Sequence, residues 1–384
     1  MNEDLWRRAA GDMIERAEGT AEALTEGFPH WADGRTGVWT TTPDGDWTGG
    51  AFPGILWLAH RMTGEERFRD LARRWCLKLA PRARLETAFK GFGFYYGAAL
   101  GAILAGDDTG KPLALEAARS LREQFDPALG LIPLGKDAEE AGEVGRAFSS
   151  IDSLQAAPLL FWAAKETGET SYRDCAARHM TRVLDIHLRP DGSIVQSSEL
   201  DAHSGTVLRH FTHKGFSDSS VWGRAQGWGI LYSAMAFAAC PEEERWLAQS
   251  MKAADWWLAH VPTDRVAFWD FDDPAIPDTA RDTAATAMVC ASLLKLAELA
   301  PEAASRIRYR DAAEKTVEAL VTSYLTPTAP DDHRPRGMLV GGCFNKRSDS
   351  RPHDVALNAE LIFGSYFLFE ALQVLTGTVK ATEV

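Results

Sequence analysis

The segment from Ser220 to Ala234 carries the residues best suited to holding a ligand. It begins like a helix and then becomes apolar, yet its first turns carry Trp222, Arg224, Gln226 and Trp228. These positions fan around most of a helical turn instead of forming a single seam. A helix that serves only for packing rarely carries such large and polar side chains. The pattern therefore predicts the wall of a pocket that is entered near the start of a helix.

Asp152 is the main candidate for acid or base chemistry. It lies in Ser149-Ser-Ile-Asp-Ser-Leu, at the start of a predicted helix. A carboxylate at a helix start is often a cap that the helix dipole stabilises; the alternative is a general acid or base at the mouth of the pocket. The same two interpretations apply to further loop carboxylates, each of which alone is more often a cap or turn residue: Asp218, Asp270, Asp272, Asp273 and Asp282.

Arg224 needs an anionic partner, because a buried guanidinium between Trp222 and Trp228 is costly when unpaired. The carboxylate of a bound uronate and an internal Asp are equally simple partners. His213 lies in a glycine-containing loop ahead of this segment and is a candidate ligand contact. His179, on the second helix of a predicted hairpin, is expected to be structural.

A helical framework must position these residues. Apolar residues recur with helical period in twelve segments, whereas strand-like runs are few and short. The long loops between the helices are rich in Trp and carboxylates, which is typical of a carbohydrate cleft. The predicted helices lie near 3–25, 52–63, 65–80, 92–105, 111–124, 152–166, 170–187, 219–238, 243–259, 280–299, 303–324 and 355–376.

An internal repeat organises these helices into hairpins. The residues 56–74 match 160–178, and each copy contains an apolar helix, a Thr-Gly stop and a second, amphipathic helix. Such hairpins cannot bury their apolar faces alone, so they must stack or close on one another. About six hairpins closing into a ring would form an (α/α)6 barrel, an all-α fold; an open solenoid is the alternative. No linker divides the chain, so residues 1–384 are predicted to form one domain.

Charge and composition exclude several classes of partner. The formal net charge is −13, which disfavours nucleic acid and anionic membranes because both require a basic face. No apolar run reaches the roughly 18 residues that a membrane span requires. The chain has no phosphate-binding glycine loop, no dinucleotide fingerprint and no HExxH motif, so no cofactor or metal is expected.

The five cysteines are odd in number and far apart. This spacing suggests neither a disulfide framework nor a zinc site. Buried free thiols and the absence of an apolar N-terminal region predict a cytoplasmic protein.

Several long motifs resemble the unsaturated glucuronyl hydrolases of glycoside hydrolase family 88. The segment Asp46-Trp-Thr-Gly-Gly-Ala-Phe-Pro-Gly-Ile-Leu-Trp-Leu is similar to the family's Asp-Trp-Thr-x-Gly-x-x-x-Gly-Ile-Leu-Trp-Leu. Residues 220–228 are similar to its Ser-x-Trp-x-Arg-Gly-Gln-Ala-Trp motif, with a variation toward the related family 105. Ser150-Ile-Asp matches the family's Ile-Ile-Asp at a helix start.

The resemblance implies an (α/α)6 barrel that removes a 4,5-unsaturated uronic acid from the non-reducing end of lyase-generated oligosaccharides. In this family an Asp protonates C4 and assists the addition of water at C5; the resulting hemiketal opens and releases the aglycone. The matching residue is Asp152. An acidic oligosaccharide is the expected partner, and the expected contacts are polar groups of His213, Arg224 and Gln226 and the aromatic faces of Trp47, Trp222 and Trp228.

The chain departs from the family pattern at several positions. Lys90 and Gly91 stand at the family's His-Asp pair, Gln196 replaces a His, and Lys214 replaces a Gln. Lys90 and Lys214 are expected to add cationic contacts to an acidic sugar, and Gln196 is expected to line the same site. Two alternatives follow from these changes. One is a lyase, isomerase or saturated-uronosidase on the same barrel; the other is a barrel that only binds acidic oligosaccharides.

Overall fold

The computed structural model describes residues 2–139, 147–347 and 355–384, and these are mostly helical. Each of the twelve predicted segments contains helix, and the one predicted at 92–105 consists of α4, a π-helical turn at Tyr95–Ala99 and α5. The helices are α1 Glu3–Ala23, α2 Ala51–Thr63, α3 Glu66–Leu77, α4 Lys90–Phe94, α5 Leu100–Ala105, α6 Lys111–Glu123, α7 Ala156–Thr167, α8 Thr170–His187, α9 Gly223–Ala239, α10 Glu244–His260, α11 Thr283–Leu299, α12 Ala303–Ser323 and α13 Ile362–Leu375.

The predicted hairpins are confirmed. Helices α2 and α3 form one hairpin and α7 and α8 the other, as the sequence repeat requires. Gly64 and Gly168 end the first helix of each pair with φ of 72° and 75°. Only glycine adopts this left-handed conformation without steric cost, and it lets the backbone amide bond back to the last turn.

Helices α9 and α11 are among those that begin later than predicted, because the residues that precede them pair with other segments. The chain before α9 is extended: Gly223 N donates to Trp269 O over 2.9 Å, and Phe271 N donates to Val221 O over 3.0 Å. Helix α11 begins after Asp282, whose Oδ1 atom accepts hydrogen bonds from Ala284 N and Ala285 N. Asp282 is therefore an N-cap, which is one of the two roles predicted for it.

Six helical segments contact one another in turn, in an order that differs from their order along the chain. Helix α2 packs on α13, α13 on α11, α11 on α9, α9 on α7 and α7 on α4, and the turn at Tyr95–Ala99 packs back on α2. The other long helices each pack on members of this set: α1 on α13, α3 on α2, α6 on α4 and α7, α8 on α7, α10 on α9 and α12 on α11. Helices α9 and α11 are buried over most of their length.

The prediction of a mostly helical fold with few and short strands is confirmed, and the described residues form two small antiparallel sheets. Their strand orders are β2-β1-β6 and β3-β4-β5. The strands have two to five residues each, too few for an alternating apolar pattern to identify them. They are β1 Phe28–Ala32, β2 Trp39–Thr42, β3 Phe148–Ser150, β4 Ser197–Leu200, β5 Val207–Phe211 and β6 Glu360–Leu361.

Among the described residues, most buried apolar side chains belong to one cluster, whose members range from Trp6 to Val384. The five cysteines are buried and free, as predicted. Within residues 2–139, 147–347 and 355–384, no helix combines the length and the apolar character needed to cross a membrane.

Candidate functional site

The sheet β3-β4-β5 brings three distant segments of the chain to one edge. Ser150 pairs with Ser197, and Ser197 pairs with Phe211. Because neighbouring strands are antiparallel, the end of β3, the start of β4 and the end of β5 meet there. Asp152 lies two residues after β3, Gln196 directly precedes β4, and the segment 212–214 follows β5. The sheet, rather than any helix, therefore gathers these side chains.

Asp152 is 5 % exposed and lies in the helical turn that precedes α7. Its Oδ2 atom accepts hydrogen bonds from Ser150 Oγ over 2.6 Å and from Gln196 Nε2 over 3.2 Å. Its backbone amide donates to Ser150 Oγ over 3.2 Å. The hydroxyl of Ser150 thus caps the turn, and Asp152, which was a candidate cap, directs its carboxylate into the site instead.

Gln196 ties the adjoining loop to this carboxylate. Its Oε1 atom accepts hydrogen bonds from Thr212 Oγ1 over 2.6 Å, His213 N over 3.1 Å and Lys214 N over 3.0 Å. These three donors orient the amide so that Nε2 faces Asp152 and also lies 3.2 Å from His213 Nε2. A single buried amide therefore fixes both the carboxylate and the imidazole.

The first turn of α9 forms the opposite wall. Arg224 is 2 % exposed, and its guanidinium carbon lies 4.4 Å from the centre of the Trp222 ring. Arg224 Nη1 donates to Asp282 Oδ2 over 2.7 Å. Nη1 also donates to the carbonyl oxygen of Cys343, and Arg224 Nη2 donates to that of Phe344. The internal Asp is therefore a partner of Arg224, and the pair also holds the segment that carries Phe344.

Aromatic rings complete the walls. The ring of Trp47 lies 6.2 Å from Trp228 and 6.4 Å from Phe344, centre to centre, and Trp228 stacks on Tyr232 at 5.5 Å. Lys214 Nζ lies 5.5 Å from the centre of the Phe344 ring. A flat sugar face can stack against such rings while a cation at their edge attracts a negative group.

Partly exposed carboxylates surround the buried Arg82, and one of them, Asp46, precedes Trp47 in the chain. Arg82 donates to Asp44 over 2.9 Å and also to Glu139. Burial, with a contribution from the nearby carboxylate of Asp46, raises the pKa of Glu139 to about 8. Burial also raises the pKa of Asp46. Each of these carboxylates opposes the ionisation of the other.

The cavity between these walls is narrow. Its volume is about 20 Å³. The lining residues are Trp47, Phe89, Asp152, Gln155, Lys214, Trp222, Arg224, Trp228 and Phe344.

Asp152 is the only carboxylate among the described residues that line this cavity. The other candidate carboxylates hold loops. Asp270 Oδ2 accepts from Phe216 N and Ser220 Oγ, and Asp272 Oδ2 accepts from Val221 N. Asp218 Oδ1 accepts from Thr212 N, and Asp273 binds Trp269 Nε1, Thr279 Oγ1 and Lys346 Nζ.

Two predicted contact residues lie elsewhere. Lys90 is directed away from the cavity: its ammonium donates to Leu85 O over 2.6 Å and to Ser120 Oγ over 2.5 Å. Burial lowers the pKa of this ammonium to about 8. Gln226 is fully buried and bonds to Gly192 O, Ala253 O and Ile194 N. Both side chains form hydrogen bonds within the protein and neither lines the cavity; their contact with the sugar stays a prediction.

Three lining residues were not predicted. Phe89, and not Lys90 or Gly91, is the residue of its segment that faces Asp152; a Cβ on Gly91 would lie 2.2 Å from Gln155 O. Gln155 follows Asp152 by three residues, a spacing that places both side chains on one face of a helical turn. Phe344 lies in one of the long loops. The spacing from Asp152 was a usable signal for Gln155, whereas only packing identifies the two phenylalanines.

A larger cavity of about 640 Å³ lies at the other end of the helices, where α7 and α9 end. Apolar side chains such as Phe161, Trp162 and Met235 line much of it, and no predicted site residue does. Within the described ranges, no group of His, Cys, Asp or Glu side chains could hold a metal ion. The chemistry therefore concentrates where the helices α7, α9 and α11 begin.

Comparison with known proteins identifies the family. No protein-family model matches the chain. A curated unsaturated glucuronyl hydrolase of Bacillus sp. (strain GL1) is 32 % identical over 377 residues, covering 96 % of both chains. The chain belongs to the unsaturated glucuronyl hydrolase family. This chain is thus a glycosidase.

Two further comparisons agree with the family assignment. The crystal structure of the unsaturated glucuronyl hydrolase from Bacillus sp. GL1 superimposes with a TM-score of 0.88 at 30 % identity, over 96 % of each chain. An unsaturated chondroitin disaccharide hydrolase of Streptococcus pneumoniae is 27 % identical over 95 % of this chain and 90 % of its own length. The fold and the family are therefore established over nearly the whole chain.

Proposed function

We propose that this protein removes a 4,5-unsaturated uronic acid from the non-reducing end of lyase-generated acidic oligosaccharides, with Asp152 as the acid and base. The supporting observation is a single carboxylate in an aromatic cavity, among the described residues. Ordinary glycosidases need two carboxyl groups on either side of the scissile bond. Hydration of a vinyl ether needs one group that gives a proton to carbon and then assists water.

In the proposed reaction Asp152 transfers its proton to C4, forming a C4–H bond as the O–H bond breaks. Positive charge develops at C5 and the ring oxygen. Water then adds at C5, and its proton returns to the Asp152 carboxylate. The hemiketal opens and releases the aglycone, so the sum of the steps is the addition of one water molecule.

The remaining walls suit the other parts of the substrate. Lys214 replaces a neutral residue of the family pattern with a cation, and we assign it to the uronate carboxylate. Trp47, Trp222 and Trp228 offer ring faces to the sugar. His213 and Gln196 lie beside Asp152 and hold it. Arg224 contributes positive charge while remaining paired with Asp282.

We also propose that the helices close into an (α/α)6 barrel as one domain over residues 1–384. The circuit of contacts from α2 through α13, α11, α9, α7 and α4 supports this ring, with the outer helices packed around it. The free buried thiols support a reducing, cytoplasmic location.

The test is an absorbance assay on unsaturated disaccharides made by polysaccharide lyases. The conjugated double bond absorbs in the near ultraviolet, so turnover removes this absorbance, and mass spectrometry should find one added water and two separate sugars. Asp152→Asn should abolish turnover. Glu199→Gln, which changes an exposed residue of β4 paired with Arg209, is the control. Activity that survives Asp152→Asn would overturn the assignment.

A further inference from the structure

Gln155 carries an unused hydrogen-bond acceptor beside the candidate acid. It follows Asp152 by three residues in the same helical turn and lines the same cavity. Its side chain is 2 % exposed, and its Oε1 atom accepts no hydrogen bond within the described part of the chain. The two other glutamines discussed above differ, because Gln196 Oε1 accepts three hydrogen bonds and Gln226 Oε1 accepts one from Ile194 N.

The backbone around Gln155 leaves this residue little freedom to move away. Its carbonyl oxygen lies against Gly91, where a Cβ would approach to 2.2 Å. A buried acceptor without a donor costs stability, because water solvated it in the unfolded chain. Such groups are uncommon in native proteins, and many mark a place where a ligand or an ordered water completes the hydrogen bonding. Because Gln155 lines the cavity, a ligand bound there can supply the missing donor.

The proposed substrate offers a donor at the matching place. In a 4,5-unsaturated uronate C4 and C5 form the double bond and carry no hydroxyl, whereas C3 does. C3 is bonded to C4, the atom that Asp152 protonates. Side chains three residues apart on a helical turn lie within roughly 5–6 Å at their Cβ atoms, so a group that reaches C4 places its neighbour near the C3 hydroxyl.

We propose that Gln155 is a substrate-binding residue whose Oε1 atom accepts a hydrogen bond from the C3 hydroxyl of the unsaturated uronate. This inference rests on the proposed function for the identity of the sugar. The contact orients the ring so that C4 faces Asp152, and it satisfies an acceptor that the free protein leaves unpaired. Gln155 itself takes no part in the proton transfer.

Kinetics of Gln155→Leu test the contact. The variant removes the amide at nearly constant volume, and we expect KM for an unsaturated chondroitin disaccharide to rise about three- to tenfold, the cost of one hydrogen bond, with kcat changed less than twofold. Because the variant also removes an unpaired buried acceptor, its melting temperature should equal or exceed that of the wild type. A residue that only supports the fold would lower the melting temperature and leave KM unchanged.

Gln373 on α13 supplies a matched control. It is also fully buried with an unpartnered Oε1 atom, its Nε2 atom donates to Leu58 O over 2.9 Å, and it does not line the cavity. Gln373→Leu should leave KM unchanged. If Gln155→Leu does not fold, Gln155→Met, which keeps the unbranched side chain, takes its place. An unchanged KM in a folded Gln155 variant overturns the proposal.

Binding measurements separate this proposal from the proposed function. Calorimetric titration of Asp152→Asn with the same disaccharide gives a Kd without turnover, and adding Gln155→Leu should weaken it about three- to tenfold. If the wild type does not consume the double bond but this weakening is observed, the Gln155 contact stands and the hydrolase assignment falls. If turnover is observed and Gln155→Leu changes neither KM nor Kd, the contact falls alone. No binding by Asp152→Asn at millimolar disaccharide overturns the Gln155 contact.

Discussion

Gln196 Nε2 donates to Asp152 Oδ2 over 3.2 Å across 44 residues of sequence. Ser150 Oγ donates to the same oxygen over 2.6 Å. Two donors on one carboxylate oxygen hold the Asp152 carboxyl group in one orientation. Lys214 and Arg224 line the same cavity.

Removing the Ser150 hydroxyl should slow turnover, because this hydroxyl holds the Asp152 carboxyl group in place. Ser150→Ala deletes one hydrogen bond, worth about 1 kcal/mol, so kcat should fall about fivefold while KM changes less. Ser153→Ala is the control, since Ser153 Oγ donates to Ser150 O and not to the carboxylate. Equal kcat values for the two variants would contradict this role.

The buried pair of Arg224 and Asp282 predicts a large stability effect. Arg224→Met leaves the carboxylate of Asp282 buried without its cation, which costs about 3–5 kcal/mol in the free energy of unfolding. Adding Asp282→Asn removes the unpaired charge, so the double variant should be more stable than Arg224→Met alone. Chemical denaturation measures both. If the double variant is less stable than Arg224→Met alone, the loss of stability in Arg224→Met does not come mainly from the unpaired charge on Asp282.

Glu139 predicts a stability that depends on pH. Its pKa is about 8 in the folded chain and 4.5 ordinarily, so between these values the unfolded chain releases a proton that the folded chain keeps. The contribution of this group to stability is present below about pH 4.5 and is lost as pH rises to about 8. Glu139→Gln should flatten the curve of unfolding free energy between pH 5 and 8. Glu116→Gln, at an exposed pair with Arg84, should not change that curve.

Lys214 predicts a charge-dependent affinity. Lys214→Gln restores the residue type of the family pattern and removes the cation, so KM for an unsaturated disaccharide should rise about tenfold while kcat falls less. The salt dependence of KM should weaken, because screening acts on charged pairs. The exposed Lys315→Gln is the control for net charge. An unchanged KM and salt dependence would show that the uronate carboxylate binds elsewhere.

The helices could be predicted from the sequence because helical periodicity is a local property. Side chains three and four residues apart share a face whatever the rest of the chain does, so all twelve segments and the Thr-Gly stops at Gly64 and Gly168 were recognisable. The same locality placed Asp152 at a helix start and made Gln155 a neighbour of Asp152.

Side-chain direction could not be predicted in the same way. Lys90 and Phe89 are adjacent in sequence, yet only Phe89 faces the cavity, because Ser120 and Leu85 O offer hydrogen bonds to the ammonium on the other side. The strands β3, β4 and β5 also escaped prediction, since segments of three to five residues form strands only when a partner is present.

The helical hairpins, the family and the candidate acid could be predicted from the sequence alone, because they depend on the order and spacing of neighbouring residues. The surroundings of that acid depend on how distant segments pack. The sheet β3-β4-β5 brings Gln196 and Lys214 to Asp152, and Asp282, 58 residues away, partners Arg224. Contacts between residues so far apart depend on how the elements pack, and in a buried site every polar atom must find its partner through that packing.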